Sequence, residues 1–407
     1  MILFKLSSLK LNFIANITGS ILDKSLILII AFFLSKYISK SDFGLWSQYL
    51  QLILIFSAAV ISPIQLFFSR EYFSKKQNPL VLYNSFLVFF IFIFFIFFLY
   101  FFYFELIDTI FLLKILLSIF TYVLYMLNSS YLRFNKKDFL YMKLSAFRLI
   151  IFLTVIFFQM FQNKFITYND LVNAYFLAHV AFLYSLRNNI KISFKLNKKN
   201  INEYLRLLIY GVTTMLLSGV DKVIVTKFGY SYTELGYYAY AIAISSIPSF
   251  LTEGVKQYLQ PMLFKDLSDR GDYSKKTRYT IIKFVFALII IQLILPFISF
   301  ELLKWMEMFQ YDYDFMFYKI LFLLNVAFCF HIVYHFINPY LFFYDRSLKL
   351  LFIQIVSISV FIFLLSISID LDNFKLSIYR LTMYFFLLLL TFISFLSRKN
   401  NKKHVHR

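Results

Sequence analysis

Long apolar runs succeed one another along the whole chain, separated by short gaps that hold much of the charge. No other feature restricts the fold so strongly. A bilayer core of roughly 30 Å needs about 20 residues of helix, and in hydrocarbon each backbone polar group must be satisfied inside its own segment. Runs of this length therefore spell transmembrane helices. Marking them between charged punctuation gives twelve spans, at about 11–37, 44–69, 81–104, 110–132, 139–161, 169–187, 205–228, 236–260, 279–300, 313–338, 349–369 and 375–397. With 61% hydrophobic and 15% charged residues, the expected fold class is an all-α integral membrane protein. The N-terminal segment has no compact apolar core followed by a small-residue cleavage site, so the first helix is expected to persist in the mature protein. The single cysteine, Cys329, excludes an intrachain disulfide and a cysteine-based metal cluster.

The formal net charge of +20 would suit nucleic acid if a soluble domain presented it. Instead, Lys and Arg crowd into the first tail and every second gap, ending in SRKNNKKHVHR, and are sparse in the alternate gaps. By the positive-inside rule both termini are expected in the cytoplasm, and no nucleic-acid partner is expected. The remaining attraction is toward anionic membrane lipids.

An aspartate–lysine pair interrupts the first span in SILDKSLI, at Asp23 and Lys24, and recurs in SGVDKVIV, at Asp221 and Lys222, 198 residues later. Pro63 and Pro261 keep the same offset, and FGLWSQY at 43–49 has a counterpart in LGYYAYA at 235–241. An internal duplication explains this better than chance. Both copies start in the cytoplasm, which makes them parallel repeats: a six-helix bundle at 1–200, ending in the basic linker 187–204, and a second bundle at 201–407 with a basic tail.

Charges inside a span cost about 2.5–3.5 kcal/mol each on insertion scales, so these must face protein or water. Asn12, Asn16, Gly19 and Asp23 share one helical face, as do Gly211, Thr214, Ser218 and Asp221. Neighbouring residues on a helix point about 100° apart, so each aspartate is expected to find its partner on another helix or on a ligand. Lys24, Lys222, Arg148 and Lys256 are the candidate cationic groups for an anionic substrate. Asp23, Asp221 and Glu253 are the candidates for orienting those cations or coupling an ion. The plainer alternative is that each aspartate pairs locally and only fixes helix packing. Lys143, Lys283, Lys319 and Arg380 lie near span ends and are expected to snorkel. His331 and His335 have metal-ligand spacing, but with five histidines in the chain interhelical bonding suits them better. His179 stands alone in the sixth span. The eight glycines form no nucleotide-binding loop, and no cofactor is expected.

Taken together, the chain resembles the polysaccharide flippases of the Wzx type, within the multidrug/oligosaccharidyl-lipid/polysaccharide exporter superfamily. The resemblance rests on length, twelve spans in two halves, the helix–FG turn–helix pattern at 35–49, and the proline-then-basic loops after the second and eighth spans. It implies a V-shaped pair of bundles working by alternating access, without catalysis. The cargo it implies is a polyprenyl-diphosphate-linked sugar repeat, carried across a bacterial inner membrane for O-antigen or capsule synthesis. A polysaccharide polymerase and a chain-length regulator are the implied protein partners. A drug or small-cation exporter of the same superfamily, or a membrane-embedded polymerase or acyltransferase, is the alternative.

Overall fold

The structure is a computed structural model. It describes the chain apart from residues 1, 31–33, 35–36, 76–108, 135–136, 164, 184–197, 271, 306–314, 344–346, 369 and 406–407. Among the described residues the α-helices are α1 (Ile2–Ile29), α2 (Lys40–Lys75), α3 (Thr109–Phe134), α4 (Asp138–Asn163), α5 (Tyr168–Leu183), α6 (Lys198–Ile224), α7 (Tyr232–Ser245), α8 (Ile247–Arg270), α9 (Lys275–Trp305), α10 (Phe315–Phe343), α11 (Ser347–Ser366) and α12 (Asn373–Val405). A short 3-10 turn follows α6 at Val225–Phe228. The only β pairing described is an isolated bridge between Ile38 and Ile166.

Helices occupy the expected spans with two qualifications. The span expected at 81–104 and most of the basic linker lie outside the described residues. The span at 236–260 is two helices, because the chain turns at Ser246 before α8 begins. Pro248 sits in the first turn of α8, where its missing N–H would have had no intrahelical acceptor. Pro296 and Pro339 lie within α9 and α10.

Seven described helices are long and apolar enough to cross a membrane: α3, α4, α6, α9, α10, α11 and α12. Their surfaces agree with that solvent. On α9 the exposed Ile282, Phe286, Ile290, Ile294 and Phe297 follow one helical stripe, an apolar face that water would penalise and lipid does not. On α4 one face is buried, at Asp138, Tyr141, Ser145, Arg148, Phe152 and Ile156, while Phe147, Ile150, Phe157 and Phe161 point outward. The protein is a multi-pass membrane protein.

Contacts divide the chain into two compact units. Unit 1 holds residues 1–26, 37–39 and 45–215, and packs α3, α4 and α5 on one another. Unit 2 holds 27–36, 40–44 and 216–407. Its centre is α10, which touches α7, α8, α9, α11 and α12 and is accordingly buried on several faces, from Phe317 and Leu324 to Tyr334 and Leu341.

Two turns are built alike. At the start of α5, Thr167 and Asp170 exchange side chain–backbone bonds, with Thr167 N to Asp170 Oδ2 at 2.9 Å. At the start of α7, Ser231 and Glu234 form the same capping box, with Ser231 N to Glu234 Oε2 at 2.9 Å. In unit 2 the first turns of α2 and α7 cross backbone to backbone. A Cβ on Gly236 would overlap the Lys40 carbonyl, and one on Gly44 would overlap the Tyr232 carbonyl.

Candidate functional site

Among the described residues, each unit holds a largely buried carboxylate closed by an arginine. In unit 1 the polar stripe of α1 lies along the buried face of α4. Asn16 Nδ2 donates to Asp138 Oδ1 at 2.8 Å. A Cβ on Gly19 would come 2.6 Å from the Tyr141 ring, so glycine lets α4 approach. One turn further, Arg148 Nη2 meets Asp23 Oδ1 at 2.8 Å, with side-chain exposures of 2% and 10%. The same nitrogen donates to the Asp23 carbonyl, and Tyr125 Oη of α3 donates to Asp23 Oδ1. The guanidinium also lies over the Tyr125 ring, 4.4 Å from its centre.

His179 of α5 completes this cluster. Arg148 Nη1 stands 3.1 Å from His179 Nε2, and His179 Nδ1 stands 2.7 Å from the Tyr175 carbonyl. A guanidinium has only donors and a carbonyl only accepts, so His179 carries its proton on Nδ1 and accepts at Nε2. Its acceptor nitrogen is thus already occupied, which argues against the general-base role that a lone intramembrane histidine suggests.

In unit 2 the carboxylate belongs to Asp221 of α6 and the arginine to Arg380 of α12. Arg380 Nη1 pairs with Asp221 Oδ2, both side chains being 2% exposed. Tyr238 Oη of α7 donates to Asp221 Oδ2 at 2.8 Å, and the Lys222 backbone N–H donates to Asp221 Oδ1 at 2.9 Å. This last bond accompanies a break: Gly219 leaves helical geometry at φ −161° and ψ 22°. The Lys222 N–H would otherwise serve the Ser218 carbonyl. That carbonyl accepts Arg380 Nη2 at 2.8 Å, while Tyr384 Oη donates to the Leu217 carbonyl at 3.2 Å. Non-helical backbone at membrane depth is tolerated where protein satisfies it, and here Arg380 and Tyr384 do so.

The two clusters share a chemistry and differ in origin. In both, an arginine binds the carboxylate and a main-chain carbonyl of the helix bearing the Asp–Lys pair, and a tyrosine hydroxyl supports the carboxylate. The arginine comes from the fifth span in one half and from the last span in the other. The Nε of both arginines has no hydrogen-bond partner.

Against the sequence reading, Asp23 and Arg148 come together, and each aspartate does find its partner on another helix. Arg148 is therefore a paired guanidinium in this structure. Arg380, expected to snorkel, is a correction: it is 1% exposed and lies two turns inside α12. The misreading came from the helix start, which is Asn373, two residues before the expected boundary. Lys143, Lys283 and Lys319 fold back over Phe139, Tyr279 and Phe315, the aromatic one turn nearer the helix start, at 4.9, 4.5 and 4.5 Å. Lys24, Lys222 and Lys256 are half-buried, on α1, α6 and α8. The Glu253 side chain lies outside the described residues. His331 stacks on Tyr384 at 4.7 Å and lies 4.2 Å from the His335 ring, so the pair belongs to an aromatic cluster beside Arg380. Among the described residues no group of His, Cys, Asp and Glu could hold a metal ion.

No family model matches the sequence, and no curated protein matches it. Solved structures do match, from end to end. A variant of the Vibrio cholerae MATE transporter VcmN aligns with a TM-score of 0.70 at 12% identity, over 97% of each chain. The chain has the fold of the MATE transporters. The eukaryotic MATE transporter AtDTX14 aligns at a TM-score of 0.66 and 11% identity, over 97% of this chain and 96% of its own. A transporter of the MOP superfamily from Pyrococcus furiosus, described as having a binding pocket of reverse polarity, aligns at 0.66 and 11%, over 98% and 96%. The expected all-α architecture of two six-helix halves is the MATE architecture. At such identities the likeness speaks for the fold, and the cargo must be argued from side chains.

Proposed function

We propose that the chain is a secondary exporter of the MOP superfamily, moving an amphipathic organic substrate outward by alternating access. The observation that carries this reading is the end-to-end match to MATE transporters, one of them described as a multidrug resistance transporter and another, DinF-BH, as a multidrug transporter. Drug efflux is the use that these likenesses favour. Expression in an efflux-deficient bacterium tests it: tolerance of lipophilic dyes should rise several-fold, and unchanged tolerance at verified membrane levels would count against it.

A second reading is favoured by the charges. A cation exporter needs carboxylates that a cargo can reach, and here an arginine closes both Asp23 and Asp221. In unit 2 the half-buried Lys222 then adds a positive charge beside the closed carboxylate, which suits the diphosphate of a polyprenyl-linked oligosaccharide. In this reading the chain flips such a repeat unit in a bacterial inner membrane, with both termini cytoplasmic and a polymerase and chain-length regulator as partners. Complementation of a flippase-deficient strain separates the two uses. Surface glycan should return with the native chain, fall with Lys24→Ala, and fall less with Lys24→Arg. Failure to restore glycan alongside gained dye tolerance would leave drug efflux alone.

A further inference from the structure

The Asp–Lys pairs look alike in sequence, yet in unit 2 the lysine is separated from its neighbour by construction. Asp221 receives three donors: Arg380 Nη1 and Tyr238 Oη on Oδ2, and the Lys222 backbone N–H on Oδ1. The Lys222 ammonium makes no hydrogen bond or ion pair among the described residues, although it is half-buried within the Leu207–Phe228 span. An ammonium half-buried within a span, even in the last turn of its helix, calls for water or an anion. The carboxylate one residue away would be its counter-ion, but Arg380 has taken it.

We propose that Lys222 is an anion-recognising group, taking a phosphate or carboxylate carried on a membrane-partitioning molecule, and that Arg380 is the specificity-determining residue that keeps it available. Arg380 holds Asp221 by its carboxylate and the broken α6 by the Ser218 carbonyl, so Asp221 is fixed on the α12 side of the kink. Asp221 and Arg380 cancel, and the cluster is left with the single positive charge of Lys222. Without Arg380 the carboxylate charge would stand uncompensated beside the ammonium and cancel it, and the site would lose its preference for anions. This inference rests on the exporter reading only in supposing that cargo reaches Lys222.

The test is binding to the purified full chain in detergent, with dodecyl phosphate, dodecanoate and tetraphenylphosphonium as probes. Dodecyl phosphate and dodecanoate should bind more weakly as salt rises, and Lys222→Gln should weaken both by about tenfold or more without changing tetraphenylphosphonium binding. Arg380→Met alone should also weaken the anions although Lys222 is present. Asp221→Asn with Arg380→Met should restore them to within about threefold of the native chain. That double variant removes both members of the Asp221–Arg380 pair and strands neither charge, so it remains informative if Arg380→Met does not fold. Adding Lys222→Gln to it should abolish the recovery. Equal anion binding by the double and triple variants, or a native chain that binds the cation and neither anion, would overturn the proposal. Anion binding through Lys222 in a chain that transports nothing would refute the exporter reading and leave this inference standing.

Discussion

At the scale of single residues, each Asp–Arg pair matters most for what its loss would leave behind. A buried pair contributes little relative to apolar groups of the same size, but removing one partner strands a charge and costs about 3–5 kcal/mol. Arg148→Met should therefore lower the thermal unfolding temperature in detergent and the amount of protein in membranes, and Arg380→Met should do the same. Asp23→Asn combined with Arg148→Met should recover most of that loss. Fluorescence-detected size-exclusion after heating reads both quantities, and a double variant no better than Arg148→Met would contradict the account. The cost of charge in hydrocarbon made Asp23, Asp221 and Arg148 legible from sequence. Their partners were not, because which face of α4 or α12 meets α1 or α6 is decided by packing. Arg380 was hidden by a boundary two residues out of place, enough to turn a core arginine into an interfacial one.

At the scale of elements, close approach explains features that the sequence displayed without a reason. The FGLW and LGYY stretches were visible as repeats, and the structure supplies their use: Gly44 and Gly236 let α2 and α7 touch through bare backbone. Neither carbonyl that a new Cβ would meet belongs to a mobile side chain. Gly236→Ala should thus destabilise by about 1–3 kcal/mol, as overpacking generally does. Gly229 offers the contrast, since nothing lies within 4 Å of its Cβ position and only its φ of 83° opposes a side chain. Gly229→Ala should cost about 1 kcal/mol. Thermal unfolding of the two variants side by side checks the ranking, and a milder Gly236→Ala would refute the crossing. The break at Ser246 escaped the sequence reading because apolar composition continues unchanged through it, and only backbone geometry marks the turn.

For the whole molecule, hydropathy and charge alternation carried most of the architecture, since the bilayer allows so few alternatives. Topology extends that reading to the membrane. Reporter fusions after residues 75, 136, 195, 272, 347 and 400 should report cytoplasm, and those after 40, 107, 165, 230, 308 and 372 the outside, with a systematic inversion beyond residue 200 refuting parallel repeats. What composition could not convey is the cargo, because the polarity of each half depends on how its carboxylate is paired. The central claim, that this chain is a secondary exporter, is tested most directly in inverted vesicles without ATP. Under an imposed ion gradient or membrane potential, the native chain should accumulate a lipophilic dye or a fluorescent lipid-diphosphate sugar faster than vesicles lacking it, and collapsing the gradient should stop the difference. Folded protein that moves neither probe under any gradient would contradict the account.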